Sequence, residues 1–173
     1  MALRDAEHYA RSMPVVEDSE RIRAPQGQLF DLAQDYGLRL RWDPFLRSIR
    51  FLDGASAAGP GVKVWVRAWT GLTMTVEYTR VARPGAVAMK MIAGPKIFRR
   101  FAGSWRFVAE DDGTTTVIFR YAFATRWPAL AWMIDPGIAA MLRRDVRQRL
   151  AGLRRGAEED GLLAALPGAP AGC

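Results

Sequence analysis

The chain has 173 residues, half of them hydrophobic and a quarter charged, which suits one globular domain with a sizeable core and excludes a disordered polymer. One histidine, His8, and one cysteine, Cys173, exclude an internal disulfide framework, a histidine-based metal site and a His-dependent catalytic triad in the body of the chain, so no metal or cofactor is expected. The cations behind the net charge of +7 are almost all arginines, the lysines being Lys63, Lys90 and Lys96; codon bias is the expected reason for the excess, and an anionic partner is the alternative.

Residues 1–14 read as a leader with little to bury. It carries charges where a secretory signal needs an apolar run, and no stretch is long and apolar enough to span a membrane, so a cytoplasmic location is expected. "VVEDSERIR" is a first strand. In "APQGQLFDLAQD", Pro25 suits a first helical position, Leu29, Phe30 and Ala33 keep helical spacing, and Gly37 is a natural stop. A second short helix through "LRLRW" ends at Asp43-Pro44, because proline disfavours helical backbone in the residue before it. Trp42 is the packing anchor of that turn.

Strands follow. "SIRFLDG" leads into the loop "ASAAGPG". "VKVWVRAWT" and "LTMTVEYTRVA" alternate with period two around Gly71, "AVAMKMIAG" is a further strand, and "SWRFVAEDDGTTTVIFRYAF" is a hairpin turning at Asp112-Gly113. Consecutive strands joined by short turns predict one antiparallel sheet. "WPALAWMIDPG" is a short apolar segment that Asp135-Pro136 breaks, Asp135 capping and Pro136 starting a long helix from Gly137 to about Asp160. Ile138, Leu142, Val146, Leu150 and Leu153 fall on one stripe of that helix, with Arg143, Arg147, Arg154 and Glu158 opposite. Residues 162–173 read as a tail.

The pieces "IRAPQGQLFDLAQD", "RWDPFLRSIRFL", "GPGVKVWV", "FAGSWRFVAEDDGTTTVIFRYAF" and "RRDVRQRLAGLRRGAEE" occur in an order that resembles the START/SRPBCC superfamily, and within it the polyketide cyclase/dehydrase and lipid-transport group. The resemblance runs from about Val15 to Glu159. It implies an α+β helix-grip fold in residues 15–161. A curved antiparallel sheet of about seven strands wraps a long C-terminal helix, with two short helices after strand 1. It also implies a hydrophobic cavity between sheet and helix. Some members cyclise or dehydrate polyketides there, and others carry or sense lipids or quinones. No fixed catalytic signature transfers.

Strand parity names the expected cavity wall. The purely apolar face of its strand supplies Val64 and Val66, and the next strands supply Met74, Val76, Tyr78, Arg80, Met89 and Met91. The last hairpin supplies Trp105, Phe107, Phe119, Tyr121 and Phe123, and the helix supplies Leu142 and Val146. Tyr78, Arg80 and Tyr121 are the candidate catalytic or orienting groups, with Arg149 and Asp145 bordering the helix stripe and Asp145 the expected partner of Arg80. The opposite parity, in which Trp65, Arg67 and Trp69 face inward, stays open. The function expected is binding of a hydrophobic, oxygenated small molecule, with cyclisation or dehydration of a polyketide-like chain as the implied activity. The alternatives are a non-catalytic lipid or quinone carrier, and an interaction protein using the basic helix face of Arg143, Arg144, Arg147, Arg154 and Arg155. Nucleic acid is not expected as a partner, peripheral membrane contact is left open, and the chain is a monomer or a homodimer.

Overall fold

The computed structural model describes residues 13–167. Residues 1–12, which hold His8 and most of the expected leader, and the last six residues, with Cys173, lie outside the described residues. Strand β1 (Val15–Ile22) is followed by helices α1 (Gln26–Gln34) and α2 (Tyr36–Trp42). A meander of β2 (Leu46–Phe51), β3 (Lys63–Ala68), β4 (Thr73–Ala82), β5 (Ala86–Ala93), β6 (Phe98–Ala109) and β7 (Thr115–Thr125) then leads to helix α3 (Ala131–Glu158). The seven strands form one antiparallel sheet in the order β1-β7-β6-β5-β4-β3-β2, curved around α3 in the expected helix-grip arrangement.

Three local expectations need correction. Pro25 precedes α1 as its extended N-cap residue and is not its first helical position. Gly37 lies inside α2; the joint between the two helices is Asp35, whose backbone closes α1 and whose carboxylate accepts from Leu38 N at 2.9 Å. A residue that caps one helix start with its side chain can end the previous helix with its backbone, so no glycine is needed.

The third correction is larger. Helix α3 begins at Ala131 and runs for 28 residues straight through Pro136. Proline here falls in the second turn, where its missing N–H removes a single helical bond. Asp135 does not cap: its carboxylate accepts from Thr125 Oγ1 at 2.9 Å, which ties the start of the helix to the end of β7. The expected stripe is otherwise intact, and Ile138, Leu142, Val146, Leu150 and Leu153 are all buried.

Helix α3 packs on β1, β7 and α2. The crossing over α2 is close because Gly152 and Gly156 lie there. A side chain at Gly152 would collide with the Trp42 carbonyl oxygen, and one at Gly156 would come within 3.0 Å of Trp42 Cβ. Trp42 is therefore the expected anchor: it is buried, and its indole N–H donates to Leu32 O at 3.3 Å.

Candidate functional site

Between the concave face of the sheet and α3 is a cavity of about 350 Å³. Ten of the expected residues line it: Val64, Val66, Met74, Val76, Met89, Met91, Trp105, Phe119, Tyr121 and Leu142. The apolar parity of β3 is the observed one. Val64 is buried, Arg67 is exposed, and Trp65 stacks under the Arg50 guanidinium at 4.6 Å outside the cavity. Trp69, beyond the end of β3, is exposed at the cavity mouth together with Leu72 and Met141.

Five expected residues do not line it. Arg80 is exposed. Its strand carries a bulge between Tyr78 and Arg80, where Tyr78 pairs with Met89 but Arg80 pairs with Ala88. One extra residue reverses the parity, so Arg80 turns out to solvent and never meets Asp145. Tyr78 is buried behind the wall, its hydroxyl 2.6 Å from Tyr36 Oη and donating to Gln34 Oε1 at 3.1 Å. Burial raises the pKa of Tyr78 and of its partner Tyr36, which lines the cavity, and keeps both phenols neutral. Phe107 packs edge-on against Phe30, Phe123 packs against Phe98, and Val146 is enclosed in the core.

One wall of the cavity is charged. Arg149 of α3 is buried, and its Nη2 donates to Asp43 Oδ2 at 2.7 Å while Nη1 donates to Tyr121 Oη at 2.5 Å. Tyr121 in turn donates to Asp145 Oδ2 at 2.9 Å, which also lies 3.7 Å from Arg149 Nη1. Arg39 completes the group, with Nε 3.1 Å from Asp43 Oδ2 and Nη1 donating to Ala33 O. Aromatic faces cover both cations: the Arg149 guanidinium lies 4.9 Å from the Phe45 ring and 5.0 Å from Phe119, and that of Arg39 lies 5.5 Å from Trp105. Arg149 Nε, buried, has no hydrogen-bond partner among the described residues.

The electrostatics follow from this packing. Burial opposes the Arg149 charge, but Asp43, Tyr121 and Asp145 outweigh it and raise its pKa, so it stays a cation. Burial raises the pKa of Tyr121 and keeps it a phenol. Burial also raises that of Asp145, against the pull of Arg149 and the hydrogen bond from Tyr121. The result is a fixed cation, a neutral donor and a carboxylate inclined to hold a proton, at one place in an otherwise apolar wall.

Sequence reasoning placed Tyr121 in the wall and Arg149 and Asp145 at its border, but missed Arg39 and Asp43. The available signal was their i, i+4 spacing across the end of α2, at the Asp43-Pro44 break. Among the described residues no cluster of three His, Cys, Asp or Glu side chains is placed to hold a metal, and no helix is long and apolar enough to cross a membrane.

A family model described as polyketide cyclase/dehydrase and lipid transport matches residues 13–158. No curated protein matches the chain. Among solved structures, it is similar to TTHA0849 from Thermus thermophilus, at TM-score 0.69 and 18% identity over 88% of this chain and 99% of that one. It is likewise similar to the Zhui aromatase/cyclase from Streptomyces sp. R1128, at TM-score 0.64 and 21% identity over 86% of this chain and 98% of that one. A third likeness is to XoxI from Bacillus cereus, at TM-score 0.69 and 12% identity over 85% and 97%. At these identities the solved structures show the fold.

Proposed function

Because the chain belongs to the polyketide cyclase/dehydrase and lipid transport family, we propose that its cavity takes a hydrophobic molecule bearing carbonyl, enol or phenol oxygens, one of which lies at Arg149. The observation that carries this reading is a buried guanidinium, that of Arg149, in the wall of an otherwise apolar cavity. A cation in an apolar wall favours a ligand oxygen over a hydrocarbon, because a hydrogen bond to a charged group contributes about 1.5–3 kcal/mol. Three methionines, Met74, Met89 and Met91, give the opposite wall side chains that adapt to a ligand's shape. The cavity volume lies in the usual range for a small-molecule site, about 300–1,000 Å³.

Where the ligand is a chain of alternating carbonyls, these groups suit an aldol cyclisation. The Asp145 carboxylate takes a proton from a carbon between two carbonyls, and the enolate oxygen faces Arg149. The enolate carbon attacks a second carbonyl carbon of the same chain, and the proton on Asp145 passes to the new alkoxide. Dehydration then removes a further α-proton and the hydroxyl as water. The cavity supplies the folded geometry that brings the two carbons together. The similarity to an aromatase/cyclase fits this use. A second reading, a carrier without chemistry, is favoured by the charge balance: Asp43 already pairs Arg149, and Asp145 is committed to Tyr121.

Displacement of an anilinonaphthalene sulfonate probe tests the binding. Met89→Trp should fill the cavity and abolish stoichiometric probe binding in a folded protein. Arg149→Met should weaken a dihydroxyanthraquinone by about 1.5–3 kcal/mol, the scale of a charge-assisted hydrogen bond, and leave anthracene almost unchanged. Equal losses for both ligands would remove Arg149 from the binding role. Turnover of a poly-β-ketone analogue, as against its stoichiometric retention, separates the cyclase from the carrier.

A further inference from the structure

We propose that the end of the molecule carrying the cavity mouth docks on an anionic lipid bilayer. The antiparallel order brings three connections to this one end: β3–β4, β5–β6 and β7–α3 with the first turns of α3. Large apolar side chains stand exposed there. Trp132 is 79% exposed, Trp69 63%, Met141 59%, Leu72 58%, Met133 58% and Trp127 49%. Leu72, Trp69 and Met141 also line the cavity, so the apolar surface surrounds its mouth.

The exposed charge around this surface is cationic, since the nearest cavity carboxylate, Asp145, is held by Tyr121 and Arg149. Residues 64–76, 91–101 and 122–134 contain no Asp or Glu, while Arg67, Lys96, Arg99 and Arg126 are exposed in them. The next carboxylate in sequence, Asp135, is turned to Thr125 Oγ1. Exposed tryptophans among cations are suited to the bilayer interface, where the ring sits at headgroup depth and the cation meets lipid phosphate or carboxylate. A second copy of the chain fits less well, since two such faces would set cations against cations without a carboxylate between them. RNA fits less well too, because Leu72, Met133 and Met141 offer nothing to a phosphate backbone. The docking stands on the surface alone and does not require the cavity to hold a ligand.

Co-sedimentation and tryptophan fluorescence of the full chain with vesicles test it. The protein should bind phosphatidylcholine/phosphatidylserine vesicles and release with salt. It should bind pure phosphatidylcholine far more weakly, and its emission should be quenched by brominated acyl chains. Each cation near an anionic surface is worth about fivefold in binding, equivalent to about 1 kcal/mol, so Lys96→Gln with Arg126→Gln should weaken binding about 25-fold. Trp127→Ser with Trp132→Ser should lower the quenching, leaving the share of Trp69. All four side chains are exposed, and unchanged thermal melts would show that both variants fold. Absence of vesicle binding, or binding that ignores both the serine lipid and the charge variants, would overturn the proposal. So would a dimer in sedimentation that the tryptophan variants dissociate, or salt-dependent binding of an RNA oligonucleotide with none to vesicles.

Discussion

Asp43→Asn is the most telling single change. The side chain keeps its size, and its Oδ1, which accepts from Phe45 N at 3.1 Å, can still do so as an amide oxygen. What disappears is the one charge placed between two buried guanidinium groups, Arg39 at 3.1 Å and Arg149 at 2.7 Å from Oδ2. At an effective dielectric constant of about 20, each attraction over about 4 Å is worth roughly 4 kcal/mol before desolvation is counted. Removing one partner of a buried pair strands the other, with a measured scale of about 3–5 kcal/mol. Asp145 cannot fully take over, because burial already inclines it toward the protonated form and of the two cations it pairs with Arg149. The expected loss is therefore about 3–5 kcal/mol in urea unfolding, a large part of the roughly 5–15 kcal/mol that holds a typical domain.

A double-mutant cycle makes that expectation sharper. Arg149→Met in the Asp43→Asn background should cost less than in the parent, since the stranded cation is then gone, with a coupling of about 1–3 kcal/mol. Strictly additive losses, or a loss below about 1 kcal/mol for Asp43→Asn alone, would refute the view that this carboxylate sustains the cavity's charge.

Three further outcomes are expected. Gly152→Ala should lower the melting temperature, losing about 1–3 kcal/mol through the collision with the Trp42 carbonyl oxygen, although alanine is the better helix former by about 1 kcal/mol; a variant as stable as the parent would disprove the close crossing of α2 and α3. Leu142→Ala should cost about 2–5 kcal/mol in equilibrium unfolding, and a loss under about half a kcal/mol would show that the stripe of α3 is not packed on the sheet. Asp112, hydrogen-bonded by Thr114 and then by Arg21, should titrate at about 2 in the folded chain, below its ordinary 3.8. Its contribution to stability is thus present above that ordinary value and lost as pH falls through about 2. Carboxyl NMR should show the value rise in Thr114→Val, and an unmoved titration would discount the hydroxyl.

What could be read from the sequence depended on whether a regular period held. Along β3, β6 and β7 it held, and Val64, Trp105, Phe119 and Tyr121 lie on the cavity side that the alternation of their strands indicates. Along β4 it failed at Thr79, because a bulge adds a residue without altering the visible pattern of apolar and polar letters, and Arg80 went to the wrong face. The helical period similarly brought Asp145 and Arg149 to the edge of the buried stripe. Nothing periodic could bring Asp43 to them, since it is 106 residues from Arg149 and sits at the end of a seven-residue helix. Yet its backbone role was legible, because Pro44 requires an extended residue before it. Asp43 is extended, with φ −86° and ψ 105°, and in that conformation its carboxylate lies against Arg149 while its own N–H still closes α2 on Arg39 O at 2.9 Å. Continuing the helix through Asp43 would change that backbone and move the carboxylate off the line between the two arginines. The stop of α2 and the counter-ion of the cavity are one residue in one conformation, so Pro44 acts on the charged wall without touching either cation.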